Sequence, residues 1–221
     1  MFKTLSFKLM SVLSIVALLS ACAQPVKRPD YTAFKKSQPR SILVLPPLNE
    51  TSDVAATYGM LSQMTLPLAE SGYYVVPVAV MDETFKQNGL TNAAEIQQTS
   101  PAKLREIFGA DAALYSKVSQ YGTVYRILAS ATVVSASAKL VDLRTGDVLW
   151  QGRASASSDE GGNNGGGGLI GMLVTAAVKQ IANTLIDQSH DVAAFTSTRL
   201  LSAGPPNGLL YGPHSPKYGT D

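Results

Sequence analysis

Ile42-Leu43-Val44-Leu45 is a continuous apolar run stopped by Pro46-Pro47. Four apolar residues in succession suit a strand buried on both faces. Asn49, Ser52 and Asp53 then offer helix N-caps. A helix is predicted over 54–71, with Tyr58, Leu61, Met64 and Leu68 on one apolar face. Pro67 is expected to kink it and Gly72 to end it. Tyr73-Tyr74-Val75-Val76 reads as a second strand, closed by Pro77. A short helix is predicted over 78–88. Ser100-Pro101 opens another, with Leu104, Ile107 and Phe108 apolar and Gly109 at its end.

Residues 111–121 return to strand. Residues 126–141 are long and β-rich, with Ile127, Ala129, Ala131 and Val133 alternating with Leu128, Ser130, Thr132 and Val134. Asp142-Leu143-Arg144-Thr145-Gly146-Asp147 is a turn, and 148–157 is the returning strand that carries Trp150. A glycine-rich run, 161–168, precedes an apolar helix over 169–187. In that helix Val174, Val178, Ile181 and Leu185 form a stripe widened by Leu173, Ala177 and Ala182. Residues 204–221 are rich in Pro, Gly and Tyr without periodicity, which predicts loose order. The order β-α-β-α-α-β-β-β-α predicts an α/β fold. It is a mixed β-sheet sandwiched by helices, with a C-terminal antiparallel hairpin and a final apolar helix. The domain is expected over 41–190, followed by a tail over 191–221.

The N-terminus has a different pattern. Lys3 and Lys8 flank residues 9–19, which are apolar apart from Ser11 and Ser14. This is the layout of a secretory signal, too short to span a bilayer. Leu19-Ser20-Ala21-Cys22 follows and resembles the bacterial lipobox. The expectation is cleavage after Ala21 and a lipid, palmitate among its acyl chains, on Cys22. Each buried CH₂ contributes about 0.8 kcal/mol, so several acyl chains hold a protein where one binds marginally. The lipobox resemblance, with Ala23 instead of Asp after the cysteine, implies sorting to the outer membrane. Residues 22–40 hold Pro25, Pro29 and Pro39 among Lys27, Arg28, Lys35, Lys36 and Arg40. They read as an extended, lipidated tether whose charges are solvated or touch anionic headgroups.

Composition narrows the function classes. The chain of 221 residues is 45% apolar and carries 18 basic and 16 acidic side chains. Loss of residues 1–21 removes Lys3 and Lys8 and no acid, leaving 16 basic against 16 acidic. A mature protein near neutrality lacks the basic field that gathers nucleic acid. The single cysteine excludes an internal disulfide and a multi-cysteine zinc site.

Candidate chemistry is sparse. The glycine run ends Gly168-Leu169-Ile170, without the Gly-Lys-Ser/Thr of a phosphate loop. It reads as a hinge or loop. His190 and His214 have no neighbouring cysteine or clustered acids, so no metal site and no Ser-His-acid triad is assigned. Asp142 and Asp147 flank the turn and are read as turn caps, not as an acid–base pair. Trp150 is read as core. No catalytic residue and no cofactor are nominated. The helix over 169–187 has two readings, core packing or contact with a second copy as a homodimer. The second would use Gly171, Val174, Ala177, Val178, Ile181 and Leu185. Lys179, Gln180 and Asn183 argue against a membrane span.

Four segments together carry a resemblance. They are Ile42-Leu43-Val44-Leu45-Pro46-Pro47, Gly72-Tyr73-Tyr74-Val75-Val76-Pro77, Gly109-Ala110-Asp111-Ala112-Ala113-Leu114-Tyr115, and 141–150 with its Asp-x-x-Thr-Gly turn before Trp150. The set is similar to a lipoprotein family of Gram-negative bacteria, found in Neisseria and considered there as candidate surface antigens. Its wider group includes the TolB amino-terminal domain, the curli secretion lipoprotein CsgG and the peptidoglycan-synthase activator LpoB. The resemblance implies an α/β domain at the periplasmic face of the outer membrane, or displayed on the cell surface. It implies assembly with itself or with an envelope protein, and no catalytic residues. A non-enzymatic scaffold or assembly factor is the function expected. A periplasmic ligand- or peptidoglycan-binding module is the alternative. No pair of long alternating hairpins fit for a membrane barrel is seen, in contrast to the curli channel.

Overall fold

The computed structural model describes residues 29–125, 130–161, 188–204 and 206–221. The apolar run forms β1 (Ser41–Val44), and β2 (Leu48–Asn49) follows the prolines. Helix α2 (Ala56–Glu70) leads to β3 (Tyr74–Val75), which returns parallel to β1. Helices α3 (Val78–Gln87), α4 (Ala93–Gln97) and α5 (Pro101–Phe108) then carry the chain to β4 (Ala112–Tyr125), on the other side of β1. Strands β5 (Ser130–Asp142) and β6 (Val148–Ser157) continue antiparallel. The sheet order is β3-β1-β4-β5-β6, with β2 also pairing β4. A 3-10 turn (Ser158–Gly161) follows β6, and the last described helix is α6 (Gln188–Leu201). A short helix, α1 (Thr32–Ser37), precedes the sheet. This is the mixed α/β architecture expected, with α1, β2, α4 and α6 in addition.

Local chemistry explains the boundaries. Ser100 caps α5 by accepting from the Lys103 amide at 3.3 Å, Pro101 stands in the first turn, and Gly109 ends it at φ +65°. Asn92 caps α4 in the same manner, accepting from Ala94 at 2.8 Å. Gly72 follows α2 at φ +95°, and a Cβ there would meet the backbone of Ser215. That site therefore admits glycine on two grounds. The buried face of α2 is Met60, Leu61, Met64, Pro67 and Leu68. Tyr58, expected on that face, lies half-exposed and donates to Asp82 Oδ1 at 3.2 Å. Its phenol gives it an amphipathic character that apolar counting ignores.

One face of β4–β6 is covered. Leu114, Ser116 and Val118 lie in register with Leu140, Ala138 and Ala136, and all are buried. Helices α2 and α6 pack over them. Ser116 Oγ is 3.7 Å from Met64 Sδ, Ser197 Oγ is 3.6 Å from Met60 Sδ, and Thr196 Oγ1 donates to the Val134 carbonyl at 3.1 Å. Trp150 belongs to the core, as expected. Its indole lies over Gly152, where a Cβ would collide with it, and Nε1 donates to the Asn207 carbonyl at 3.0 Å.

Both expected ends of the domain are corrected. Within the stretch read as extended tether, residues 32–37 form α1, and Phe34 is only 3% exposed. Tyr31 Oη donates to the Gly208 carbonyl at 2.6 Å, and Lys35 Nζ to the Asp221 carbonyl at 2.8 Å. Six residues are too few to show helical periodicity, and their basic neighbours disguise the one buried ring. The region read as a tail begins with α6, whose Val192, Ala193, Thr196, Ser197, Leu200 and Leu201 are buried. After α6, Leu209 and Leu210 are buried, and Tyr73 Oη donates to the Leu210 carbonyl at 2.5 Å. The amides of Gly212 and His214 donate to Ser71 and Gly72 at 2.8 and 3.0 Å. This order comes from backbone pairing with a distant helix end, which leaves no periodicity in sequence. The helix expected over 169–187 lies outside the described residues, as does most of the glycine run.

The β5–β6 turn holds α1 in place. The Asp142 side chain is almost fully buried. Its Oδ2 accepts from Ser37 Oγ at 2.6 Å and from Arg144 at 2.9 Å, and Arg144 also donates to the Ser37 carbonyl at 2.7 Å. Burial raises the carboxyl's pKa, but hydrogen bonds from Arg144 and Ser37 outweigh it and hold the group well below the usual carboxylate range. Asp142 is therefore more than the turn cap expected. Asp147 does cap the turn, accepting from Thr145 Oγ1 at 2.8 Å.

Two predictions follow from these contacts. Phe34→Ala should destabilise the domain by about 3 kcal/mol or more in denaturant unfolding, the ordinary cost of emptying a core aromatic site. A change under about 0.5 kcal/mol would mark α1 as loosely held. For Asp142, the folded pKa lies below the unfolded one. Its contribution is present above about pH 4 and is lost as pH falls toward the depressed folded value. Asp142→Asn should cost about 1–3 kcal/mol at neutral pH. The gap between wild type and variant should narrow on acidification below about pH 4.

Candidate functional site

The opposite face of β4–β6 is open. Along β4 the side chains between the buried ones are Tyr115 and Lys117, along β5 Ser137 and Lys139, along β6 Gln151 and Arg153. The register sets them in two rows. Lys117 pairs with Ser137 and Ser137 with Arg153, while Tyr115 pairs with Lys139 and Lys139 with Gln151. Strand alternation sends these side chains to one face, away from α2 and α6. They form the floor of a groove of ≈ 1310 Å³. Gln97 of α4 and Gln98 just after it line one side, and Arg199, Asn207 and Pro29 line another.

The groove carries positive charge. Lys117, Lys139, Arg153 and Arg199 line it, and no carboxylate does. Lys117 reaches Glu50 at 3.1 Å, where both side chains are about half-exposed. Exposed pairs of this kind contribute about 0–1 kcal/mol and leave the ammonium accessible. Lys139 Nζ stands 5.3 Å from the Tyr115 ring centroid, a cation–π distance. Burial pushes the Tyr115 phenol above its ordinary pKa, so it stays protonated and able to donate. Arg199 pairs with Glu160 and donates to the Ser155 carbonyl at 2.8 Å. Arg153 is exposed and has no hydrogen bond or ion pair among the described residues. Gln97 is fixed, its Nε2 donating to the Pro46 and Ser116 carbonyls at 2.8 and 2.9 Å. The groove thus presents ammonium, guanidinium, amide and hydroxyl donors side by side. That set suits anions.

Cys22, Ala21 and the six residues nominated for self-association, Gly171, Val174, Ala177, Val178, Ile181 and Leu185, lie outside the described residues. His190 belongs to α6, its Nε2 2.5 Å from Gln63 Nε2 of α2, and joins the two covering helices. His214 belongs to the C-terminal loop and lends its amide to Gly72. Among the described residues no three His, Cys, Asp or Glu side chains are grouped to hold a metal. No described helix is long and apolar enough to cross a membrane. The sequence reading missed the groove. Its signal was present as Tyr-Ser-Lys, Ser-Ala-Lys and Gln-Gly-Arg, one triplet per strand, but only strand register brings the three together.

Comparison with known proteins places the chain. Residues 29–214 match the family described as "Putative lipoprotein GNA1162-like". The chain is 56% identical over 203 residues to "Putative lipoprotein NMB1124/NMB1162" of Neisseria meningitidis serogroup B, covering 91% of this chain and 93% of that protein. The crystal structure of lipoprotein GNA1162 from Neisseria meningitidis is similar at TM-score 0.53 and 60% identity, over 66% of this chain and all of that one. The LpoB C-terminal domain of Salmonella enterica is a far weaker likeness, with TM-score 0.39 and 21% identity, over 52% of this chain and 81% of that one. The match over 29–214 begins just before α1 and runs into the C-terminal loop, so it takes in both ends that the fold adds to the domain. The chain belongs to the GNA1162-like lipoprotein family.

Proposed function

We propose that this chain is an outer-membrane lipoprotein, anchored through Cys22 after cleavage at Ala21, that serves as a self-associating, non-enzymatic scaffold or accessory factor on the periplasmic side. The observation that carries this reading is the docking of α1. Phe34, Ser37 and Tyr31 tie the residues next to the anchor into the core, the β5–β6 turn and the C-terminal loop. A domain that begins so few residues after its lipid is held close to the membrane, as a scaffold of an envelope complex requires. The family assignment supports the lipoprotein character. Self-association and the partner protein are part of the proposal and rest on the sequence of 169–187.

The open groove favours a second reading, a periplasmic module that binds an anionic ligand or peptidoglycan. Its donors suit carboxylates, and its flat floor suits an extended chain.

In cell fractionation, Cys22→Ser should move the protein from the membrane to the soluble fraction. Continued membrane retention in low and high salt alike would overturn the anchor. The lipid-free chain beginning at Ala23 keeps every described core residue, from Phe34 to Leu210. It should sediment as a dimer or larger species at tens of micromolar, and a strict monomer would overturn self-association. Retention of the same chain on purified sacculi would favour the second reading over the first.

A further inference from the structure

We propose that the open face of β4–β6 is a membrane-facing surface that seats the headgroups of anionic phospholipids. Three independent observations converge on it.

The first is charge. Lys117, Lys139 and Arg153 project from three adjacent strands onto one face, and Arg199 stands at its rim. The nearby carboxylates, Glu50 and Glu160, pair with the two outer cations, Lys117 and Arg199. Arg153 has no ion-pair partner among the described residues, and Lys139 only a tyrosine ring. A mature chain near neutrality has therefore concentrated uncompensated cations on a single sheet face.

The second is reach. Pro29 lines this same groove, and Tyr31 and Phe34 hold the chain behind it to the domain. From Pro29 back to Cys22 is about seven residues, which span at most about 25 Å when fully extended. This step rests on the anchor reading of Cys22. A tether of this length lets the rim of the groove approach the headgroup layer. Surface charges at a membrane act within a Debye length of about 8 Å, a separation the anchored domain can reach.

The third is shape and donor chemistry. The floor is sheet, not a closed pocket, and carries the donors of Gln151, Ser137 and Tyr115 between its cations. Phosphodiesters in a bilayer form a plane of acceptors. Ammonium and guanidinium groups side by side on one sheet face match several of them at once, with guanidinium binding in bidentate fashion.

The test uses the lipid-free chain from Ala23 to Asp221, whose binding does not depend on acylation, so its outcome is separate from that of the Cys22→Ser fractionation. It should cosediment with phosphatidylethanolamine vesicles containing a quarter phosphatidylglycerol, and not with phosphatidylcholine vesicles. Each cation near an anionic surface contributes roughly fivefold in affinity. The triple variant Lys117→Gln/Lys139→Gln/Arg153→Gln should therefore bind about a hundredfold more weakly, and the wild-type interaction should fade as salt is raised. A thermal melt checks that the triple variant is folded. Should it fail to fold, the single exposed substitution Arg153→Glu takes its place, with roughly a tenfold or greater loss expected from the charge reversal. The variant Lys27→Gln/Arg28→Gln isolates the tether. Undiminished binding of the groove variants, loss of binding only in the tether variant, or retention on sacculi without vesicle binding would each overturn the proposal.

Discussion

Leu114, Ser116 and Val118 of β4 stand in register with Leu140, Ala138 and Ala136 of β5, and this buried patch must be kept from water. A sheet face of this kind is stable only when another layer covers it. Here the cover has two parts from opposite ends of the domain, α2 from its first third and α6 from near its C-terminus. They meet across Met60 and Ser197 and through Gln63 and His190. Burial of each large side chain contributes about 1.5–3 kcal/mol. The chain therefore closes as one cooperative body, and neither helix has a reason to be stable without the sheet.

Strand alternation shapes both faces of the sheet. Between the bulges at Val118/Gln120 and Leu140/Val141, each residue directed to α2 and α6 is followed by one directed away, so the composition of the open face is fixed by the same register that builds the core. A shift of one residue in β5 would carry Lys139 into the core and Leu140 to the surface. The cationic groove and the hydrophobic interior are thus two outcomes of one pairing scheme. The charged groups that line the groove are all cationic.

The ends of the chain add a second constraint. Asp142, buried at the β5–β6 turn, binds Ser37 and Arg144 and is held ionised by them. A buried carboxylate is tolerated when paired and hydrogen-bonded, and its loss then leaves the partners unsatisfied. Nearby, Tyr31 reaches Gly208, Lys35 reaches Asp221, and the Tyr211 amide donates to Asp221 Oδ2 at 2.7 Å. The N-terminal helix and the C-terminal loop meet on one side of the sheet. The domain consequently begins by Tyr31, well inside the stretch expected to be an extended tether.

Much of this was legible in the sequence. The strand Ile42 to Val44, the helix starting at Ser100-Pro101 and ending at Gly109, and the turn from Asp142 to Asp147 were all set by local chemistry: apolar runs, caps and positive-φ glycines act within a few residues. The element order alone gave the mixed sheet. Four things needed tertiary structure. Phe34 gains its meaning from a cavity made by residues far along the chain. The loop after α6 is ordered by Tyr73 and by the carbonyls of Ser71 and Gly72, which no periodicity announces. Asp142 is a clamp only because α1 arrives beside it. Lys117, Lys139 and Arg153 are ordinary surface charges when taken strand by strand, and they become a surface only when register sets them side by side. Sequence determined the elements because their signals are local; the site was decided by the pairing of distant strands, since a groove is a relation between segments and not a property of any one.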